Sequence, residues 1–279
     1  MAQSMQPNFE WPVLCNFFSV PFPVFLQHRD VSSSQAWTLL RELKKWTNEE
    51  YDRQKIIFKS DYASFDKSRC LIWGDPRYPA CFSRLQVPPA CFYYWGDLGV
   101  LAEPALSIIG SRQAAPCFLN WMDAELGGFL NRNSKLVVSG GARGIDQKAT
   151  QVALRHRQKC VIVLPCGFEE LYPAELAHWT HQANILFLSE YLPRQRMNRH
   201  HFIKRNRLVS ALSNHLLVVQ CAIKSGSMIT VRYALEQGAH IATVPDFPGS
   251  YESSGNLKLL SEGATLVSDA QDLQDFMNW

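Results

Sequence analysis

Residues 135–146 read Lys-Leu-Val-Val-Ser-Gly-Gly-Ala-Arg-Gly-Ile-Asp, and residues 106–112 give an earlier echo, Leu-Ser-Ile-Ile-Gly-Ser-Arg. Each opens with a short apolar, β-branched run, the composition of a strand buried on both faces. Each then breaks at glycine where a helix would begin: Gly110 in the first, Gly140, Gly141 and Gly144 in the second. Glycine has no Cβ and adopts positive φ freely, so a ligand can approach the backbone closely. The N–H groups of a following helix's first turn favour an anion. Arg112 and Arg143 add full positive charge at the same edge. The two glycine-arginine loops at strand ends are expected to form one phosphate-binding rim.

The texture around these stretches sets the fold class. Strand-like runs at 106–109, 136–139, 160–164, 185–189, 216–220, 241–244 and 264–267 alternate with helical patterns at 117–131, 145–157, 173–182, 202–212, 227–237, 257–262 and 269–277. Strands spaced roughly 25 residues apart with helices between require right-handed crossovers and a mostly parallel sheet. This predicts an α/β, doubly wound fold, whose ligands bind beyond the carboxyl ends of the strands. Both glycine loops sit at those ends.

Two more segments fall at the same edge. Residues 191–210, Tyr-Leu-Pro-Arg-Gln-Arg-Met-Asn-Arg-His-His-Phe-Ile-Lys-Arg-Asn-Arg-Leu-Val-Ser, hold six arginines and lysines and no acid. A chain of net charge +3 that concentrates its cations this way has built a local patch. Lys204, Arg205, Asn206 and Arg207 precede apolar Leu208 and Val209, which places them on a helix docked to the sheet, and Phe202 is either a stacking ring or core. Ser225-Gly226-Ser227 opens the next helix, with Ser227 as the expected N-cap and a simple capping role as the alternative.

Absences narrow the chemistry. No G-x-x-x-x-G-K-[ST] is present, neither glycine loop completes G-x-G-x-x-G, and no G-x-S-x-G surrounds Ser139. Asp146 and Glu190 are candidate general bases but fit better as a cap or an arginine partner. A long phosphate-binding rim without a nucleophile, base or metal points to a binder of extended polyphosphate, and nucleic acid is the obvious one.

Of 279 residues, 47% are hydrophobic and 19% charged, which is ample for a core and excludes wholesale disorder. Eight scattered cysteines without a C-x-x-C pair read as reduced thiols, in keeping with the cytosol. His178 and His181 lack further ligands at metal spacing, and no cofactor is implied. There is no membrane-length apolar run and no basic n-region with an apolar core, so the expected location is cytoplasmic. Residues 1–15 read as a loose tail, Ser32–Ser34 cap a helix running to Trp46, and 49–68 are polar and mixed, like a linker. Residues 1–69 are therefore expected to form a small helical region and linker, and 70–279 the α/β domain. The aromatic run Phe92-Tyr93-Tyr94-Trp95 fits a packed strand better than a base-stacking platform.

Gly110-Ser111-Arg112, the 139–146 loop, Leu164-Pro165-Cys166-Gly167, Leu171-Tyr172-Pro173, Ser189-Glu190, Arg205-Asn206-Arg207 with Leu212-Ser213, Ser225-Gly226-Ser227 with Thr230, and Gly263-Ala264 stand in the order and spacing of the DprA/Smf family. Upstream, Asp75, Tyr78-Pro79, Pro88, Tyr94 and Gly96 are similar to that family's lead-in, so the resemblance runs from Leu71 to Val267. It implies an extended Rossmann fold and a homodimer that binds incoming single-stranded DNA during natural transformation. It further implies protection of that DNA, delivery to the RecA recombinase, and no enzymatic activity. Carried over to this chain, the DNA contacts would be Gly110, Ser111 and Arg112; Ser139 to Gly141, Arg143 and Gly144; Phe202; Lys204 to Arg207; and Ser225 to Ser227. The chain departs from the family pattern at His201-Phe202-Ile203, at Thr150, at Pro165-Cys166 and at Asp246. A histidine in place of arginine implies weaker or more pH-sensitive binding. The winged-helix domain carried by many members at the C-terminus is not expected within residues 70–279.

Two rival functions share the fold class. A Rossmann-type nucleoside-monophosphate hydrolase would carry Pro-Gly-Gly-x-Gly-Thr where Ser225–Thr230 stands, with a glutamate after it; Glu236 follows here. A nucleotide-binding sensor would need only one loop and leave the 194–207 cations without a role.

Overall fold

The computed structural model describes residues 10–63, 66–246 and 249–278. Nine strands form one sheet in the order β1-β2-β6-β5-β4-β3-β7-β8-β9. In chain order, helices α1 (Glu10–Phe17), α2 (Phe22–Gln27), α3 (Ser33–Lys44) and α4 (Asn48–Ala63) precede β1 (Cys70–Ile72) and β2 (Cys91–Trp95). Then come β3 (Ala105–Ile109), α5 (Pro116–Trp121), α6 (Gly127–Arg132), β4 (Leu136–Ser139), α7 (Ile145–Arg155), β5 (Cys160–Leu164) and β6 (Ile185–Ser189). The chain finishes with α8 (Arg199–Ala211), β7 (His215–Val218), α9 (Gly226–Glu236), β8 (His240–Thr243), α10 (Ser254–Ser261), β9 (Thr265–Leu266) and α11 (Ala270–Phe276).

Strands β3 to β9 are parallel, and only the β1–β2 and β2–β6 pairings are antiparallel. The expected mostly parallel, Rossmann-like α/β sheet is what forms. Side chains alternate across a strand, and both faces of this sheet are covered. On β5, Cys160, Ile162 and Leu164 join α5, α6, α7 and α11 on one face, while Val161 and Val163 join α8 and α9 on the other. That two-sided burial is why the strands read as unbroken apolar runs.

Several local expectations are corrected. Residues 10–15, read as tail, belong to α1 and bury Trp11, Val13 and Leu14; the rest of that tail lies outside the described residues. Residues 49–63, read as linker, are α4, which buries only Phe58 and leaves Ile56 and Ile57 exposed. Without an apolar stripe it gave no helical signal. Ser32 does cap α3, in a reciprocal capping box with Gln35. The 173–182 helix is instead a 3₁₀ segment, Ala174–Trp179, and the 117–131 helix is interrupted by a π turn at Met122–Leu126. In the aromatic run, Phe92 and Tyr93 are buried, as expected of a packed strand.

The four N-terminal helices share an aromatic-rich cluster with Cys70, Cys91 and Tyr93 of β1 and β2 and with Leu192. Trp37 Nε1 donates to Glu10 across that cluster at 2.9 Å, and Asn16 donates to the Cys91 carbonyl. Among the described residues no helix is long and apolar enough to cross a membrane.

Candidate functional site

The chain leaves β3 toward β4 on one side and returns to β7 on the other, so strand order reverses between β3 and β7. The connections from those two strands splay to opposite faces and leave an opening at their carboxyl ends. A cleft of about 1160 Å³ occupies that position. Its floor is Gly110 to Gln113 after β3, and Gly140 with Ala142 after β4. One wall is the first turns of α8, with Arg199, Phe202 and Asn206; the other is the 222–227 loop that enters α9.

Hydrogen bonds fix this frame. The Gln220 carbonyl accepts from Ser111 N at 2.7 Å, and its side-chain oxygen accepts from Ala115 N at 2.8 Å. One buried residue thus holds both ends of the loop that carries Arg112. Ser227 Oγ donates to the Gly110 carbonyl at 3.0 Å, and Asn206 Nδ2 donates to the Gly226 carbonyl at 3.3 Å, linking α8, α9 and the β3 loop. Ser225, not Ser227, is the N-cap of α9, and it makes no side-chain cap bond. Gly144 sits at φ +78°, and a Cβ there would come within 2.2 Å of the Ser111 carbonyl oxygen. That contact presses the two glycine loops together.

The arginines divide into two classes. Arg112 is exposed, with its guanidinium 4.9 Å from the centroid of the Phe202 ring. Arg199 and Lys224 also line the cleft, and among the described residues none of these three makes an ion pair. Arg205 is only 4% exposed; its Nη1 donates to the Val163 carbonyl at 2.5 Å and to the Gly140 carbonyl. Arg207 is buried against Glu190 at 2.6 Å, with Lys204 3.7 Å from the same carboxylate, and both face α1 rather than the cleft. Arg143 lies outside the cleft and pairs with Glu175 at 2.9 Å. Arg194 and Arg196 pair with Glu169 and Glu170. Four of the six cations of the basic segment are therefore paired, with three glutamates, one of them Glu190 just before the segment.

Asp146 is buried beneath the 140–144 loop, where its Oδ2 accepts from Gly140 N at 3.1 Å and Ala142 N at 3.4 Å. Those amides are spent on an internal carboxylate and do not face a ligand. Burial pushes this carboxyl up to about 6, against the pull of Arg205 and the two amides. His201 is half-buried, stacked on Tyr191 with ring centroids 4.0 Å apart and beside the Pro165 carbonyl at 3.1 Å. Burial pulls its imidazole below the ordinary value, so at neutral pH it is uncharged.

The cleft gathers Gly110, Ser111, Arg112, Gly140, Phe202, Asn206 and the 225–227 turn, with Arg205 reaching it as a buried brace. It does not gather Ser139, Gly141, Arg143, Gly144, Lys204 or Arg207. Arg199 and Lys224 carry a readable signal, being the nearest cations to the α8 and α9 starts. Gln220 and Tyr251, the latter also lining the cleft, carry none in sequence. Chemically, this is a channel with three free cations and an aromatic ring, suited to an extended anion with planar groups.

Similarity to known proteins agrees with this geometry. The family profile described as DNA recombination-mediator protein A matches residues 69–278. DNA processing protein DprA of Streptococcus pneumoniae is 32% identical over 203 residues, 71% of each chain. The X-ray structure of DprA from that species superposes with a TM-score of 0.76 at 23% identity, covering 95% of this chain and 94% of its own, which establishes the fold. The structure of Helicobacter pylori DNA processing protein A, described for its single-stranded DNA binding mode, aligns with a TM-score of 0.62 at 32% identity, over 72% of this chain and 91% of its own. With three quarters of its length inside that profile and a relative of this identity, the chain belongs to the DNA recombination-mediator protein A (DprA/Smf) family.

Proposed function

We propose that this protein binds single-stranded DNA in the switch-point cleft, without turning it over. The observation that carries the reading is Arg112 poised over Phe202 in a channel with two further unpaired cations, Arg199 and Lys224. Aromatic rings accept any base face and cations meet the backbone, so binding is sequence-tolerant. The DNA contacts in this reading are Ser111, Arg112, Phe202, Asn206 and Ser225–Ser227, with Arg199 and Lys224 added. Ser139–Gly141, Arg143, Gly144, Lys204, Arg205 and Arg207 shape the frame. The reading is supported by the single-stranded DNA binding mode described for the Helicobacter pylori relative. At Gly140 the buried Asp146 carboxyl is engaged by the loop's own amides.

The same family membership motivates the wider reading: a cytoplasmic homodimer that protects incoming DNA and passes it to RecA. In this reading the α/β domain holds the strand, and Cys15 and Asn16 of α1 lie beside Lys204 and Arg207 of α8. The test is fluorescence anisotropy of a labelled oligothymidine with wild type and Arg112→Ala at two salt concentrations. Tight binding lost with salt and with the substitution is the expected result. Displacement of the oligonucleotide by equimolar mononucleotide would favour a small-nucleotide sensor instead. Light scattering of the purified protein tests the dimer, and RecA filament assembly on protein-coated DNA tests delivery.

A further inference from the structure

The cleft does not end at the 222–227 loop. It continues to Tyr251 and Glu252, in the 3₁₀ turn that follows β8. Tyr251 is 60% exposed, and among the described residues its hydroxyl makes no hydrogen bond. A large ring left this open is normally a mobile surface group, but here its turn is fastened. Ser254 Oγ donates to the Tyr251 carbonyl at 2.6 Å and accepts from Ile223 N at 3.0 Å. Gly255 N donates to the Cys221 carbonyl at 2.9 Å, so the turn is bound to the loop that carries Lys224. The ring, the exposed Ile223 side chain and the unpaired Lys224 ammonium therefore share one rigid rim.

The placement relative to Phe202 matters most. Phe202 touches Tyr172 of the loop after β5, with ring centroids 5.7 Å apart, and lies under Arg112 of the loop after β3. Tyr251 follows β8. From the Arg112 loop that lies over Phe202, the strand ends crossed to Tyr251 run β3, β7, β8. Two gaps between neighbouring strands amount to roughly 10 Å. One base does not stack on both rings across that distance, whereas two or more bases of one strand do.

We propose that Tyr251, with Lys224 and the uncapped N-terminus of α9, forms a second base-stacking subsite at the far end of the cleft. One base of a single strand lies on the Tyr251 ring while the adjoining phosphate meets Lys224 and the first-turn amides of α9. Glu252, on the same turn, repels phosphate from its own side and so fixes the strand's course toward Lys224. The inference rests on the single-strand reading of the cleft and extends it by stating where the strand leaves.

The test compares Tyr251→Ala, Tyr251→Phe and Arg112→Ala on a short tract of a single thymidine nucleotide and a long one of about twelve. Tyr251→Ala is expected to weaken the long tract by about 5- to 100-fold, the range for losing one stacked base, and the short tract by less than about twofold. Tyr251→Phe keeps wild-type affinity, because the ring and not the hydroxyl is used. In the long tract, 5-iodouracil placed at successive positions should crosslink to Tyr251 on irradiation. Unchanged affinity for both tracts in Tyr251→Ala, with Arg112→Ala still defective, would overturn the subsite and leave the single-strand reading intact. Equal weakening of both tracts would also overturn it, since the ring would then serve the same base as Phe202. Failure of wild type to bind either tract at low salt removes both readings together.

Discussion

Arg112 and Arg205 are the same side chain put to different uses a few ångströms apart. Arg112 lies open over Phe202, so within the fold removing it costs only that exposed ring contact. Arg205 is buried and donates to the carbonyls of Gly140 and Val163; truncating it strands both acceptors and leaves Asp146 without its nearest positive charge. Arg205→Ala should therefore lose about 2–6 kcal/mol of folding stability, the cost of leaving two buried acceptors unpaired. Arg112→Ala should stay within about 0.5 kcal/mol of wild type, as surface substitutions do. Urea titrations of the two variants separate these outcomes. Asp146 adds a pH signature. Its folded carboxyl titrates at about 6 against an ordinary 3.8, so between those values the folded chain keeps a proton that the unfolded chain has lost. Stability from this group is present below pH 3.8 and is lost as pH rises through about 6. Asp146→Asn should flatten that part of the stability profile, measured as unfolding free energy across the window.

At the scale of elements, the loop carrying Arg112 is held at both ends by one residue of the neighbouring strand end. Gln220 accepts from Ser111 N and from Ala115 N, and its amide reaches Ser253 Oγ at 3.4 Å. Gln220→Ala should weaken DNA binding through Arg112, so the Arg112→Ala/Gln220→Ala double variant should bind little worse than Arg112→Ala alone. A coupling of 0.5–3 kcal/mol in the binding cycle is expected for residues linked this directly. Gln220→Glu retains the acceptor for Ala115 N and should restore most of the affinity; a purely additive cycle would assign Gln220 a general structural role. This bracket also shows what was legible. Most of the seven parallel strands could be read because two-sided burial writes them as apolar runs closed by glycine or a polar loop, although β9 leaves Leu266 exposed. Helix α4 could not, because Phe58 is its one buried residue and the rest of its packing face is the tyrosines Tyr51 and Tyr62. The four anion-friendly loops could be placed on one edge by strand alternation alone. Their internal use could be read only in part: Glu190, next to the basic segment, was legible as an arginine partner, whereas Glu169 and Glu170 reach Arg194 and Arg196 only through tertiary packing.

For the whole molecule, that packing decides how binding responds to salt. The net charge of +3 leaves no strong overall field, so the response is set by cations that a strand can reach. Residues 191–210 contain six positive charges, and if all six met phosphates the slope of log K against log salt would be about −4, at 0.7 per single-strand contact. The structure ties Arg194, Arg196, Lys204 and Arg207 to glutamates and Arg205 to backbone carbonyls, leaving Arg199 of that segment. With Arg112 and Lys224 from other loops, three cations are free in the cleft, and the expected slope is about −2 per protein copy. Arg112→Ala should bring it to about −1.4, with the same change for every oligonucleotide sequence, because phosphate contacts carry no base information. Anisotropy titrations of oligothymidine over a series of salt concentrations measure both slopes. A wild-type slope near −4 would mean that the glutamate pairs open when DNA arrives, and that the basic segment acts as the continuous patch its sequence suggests.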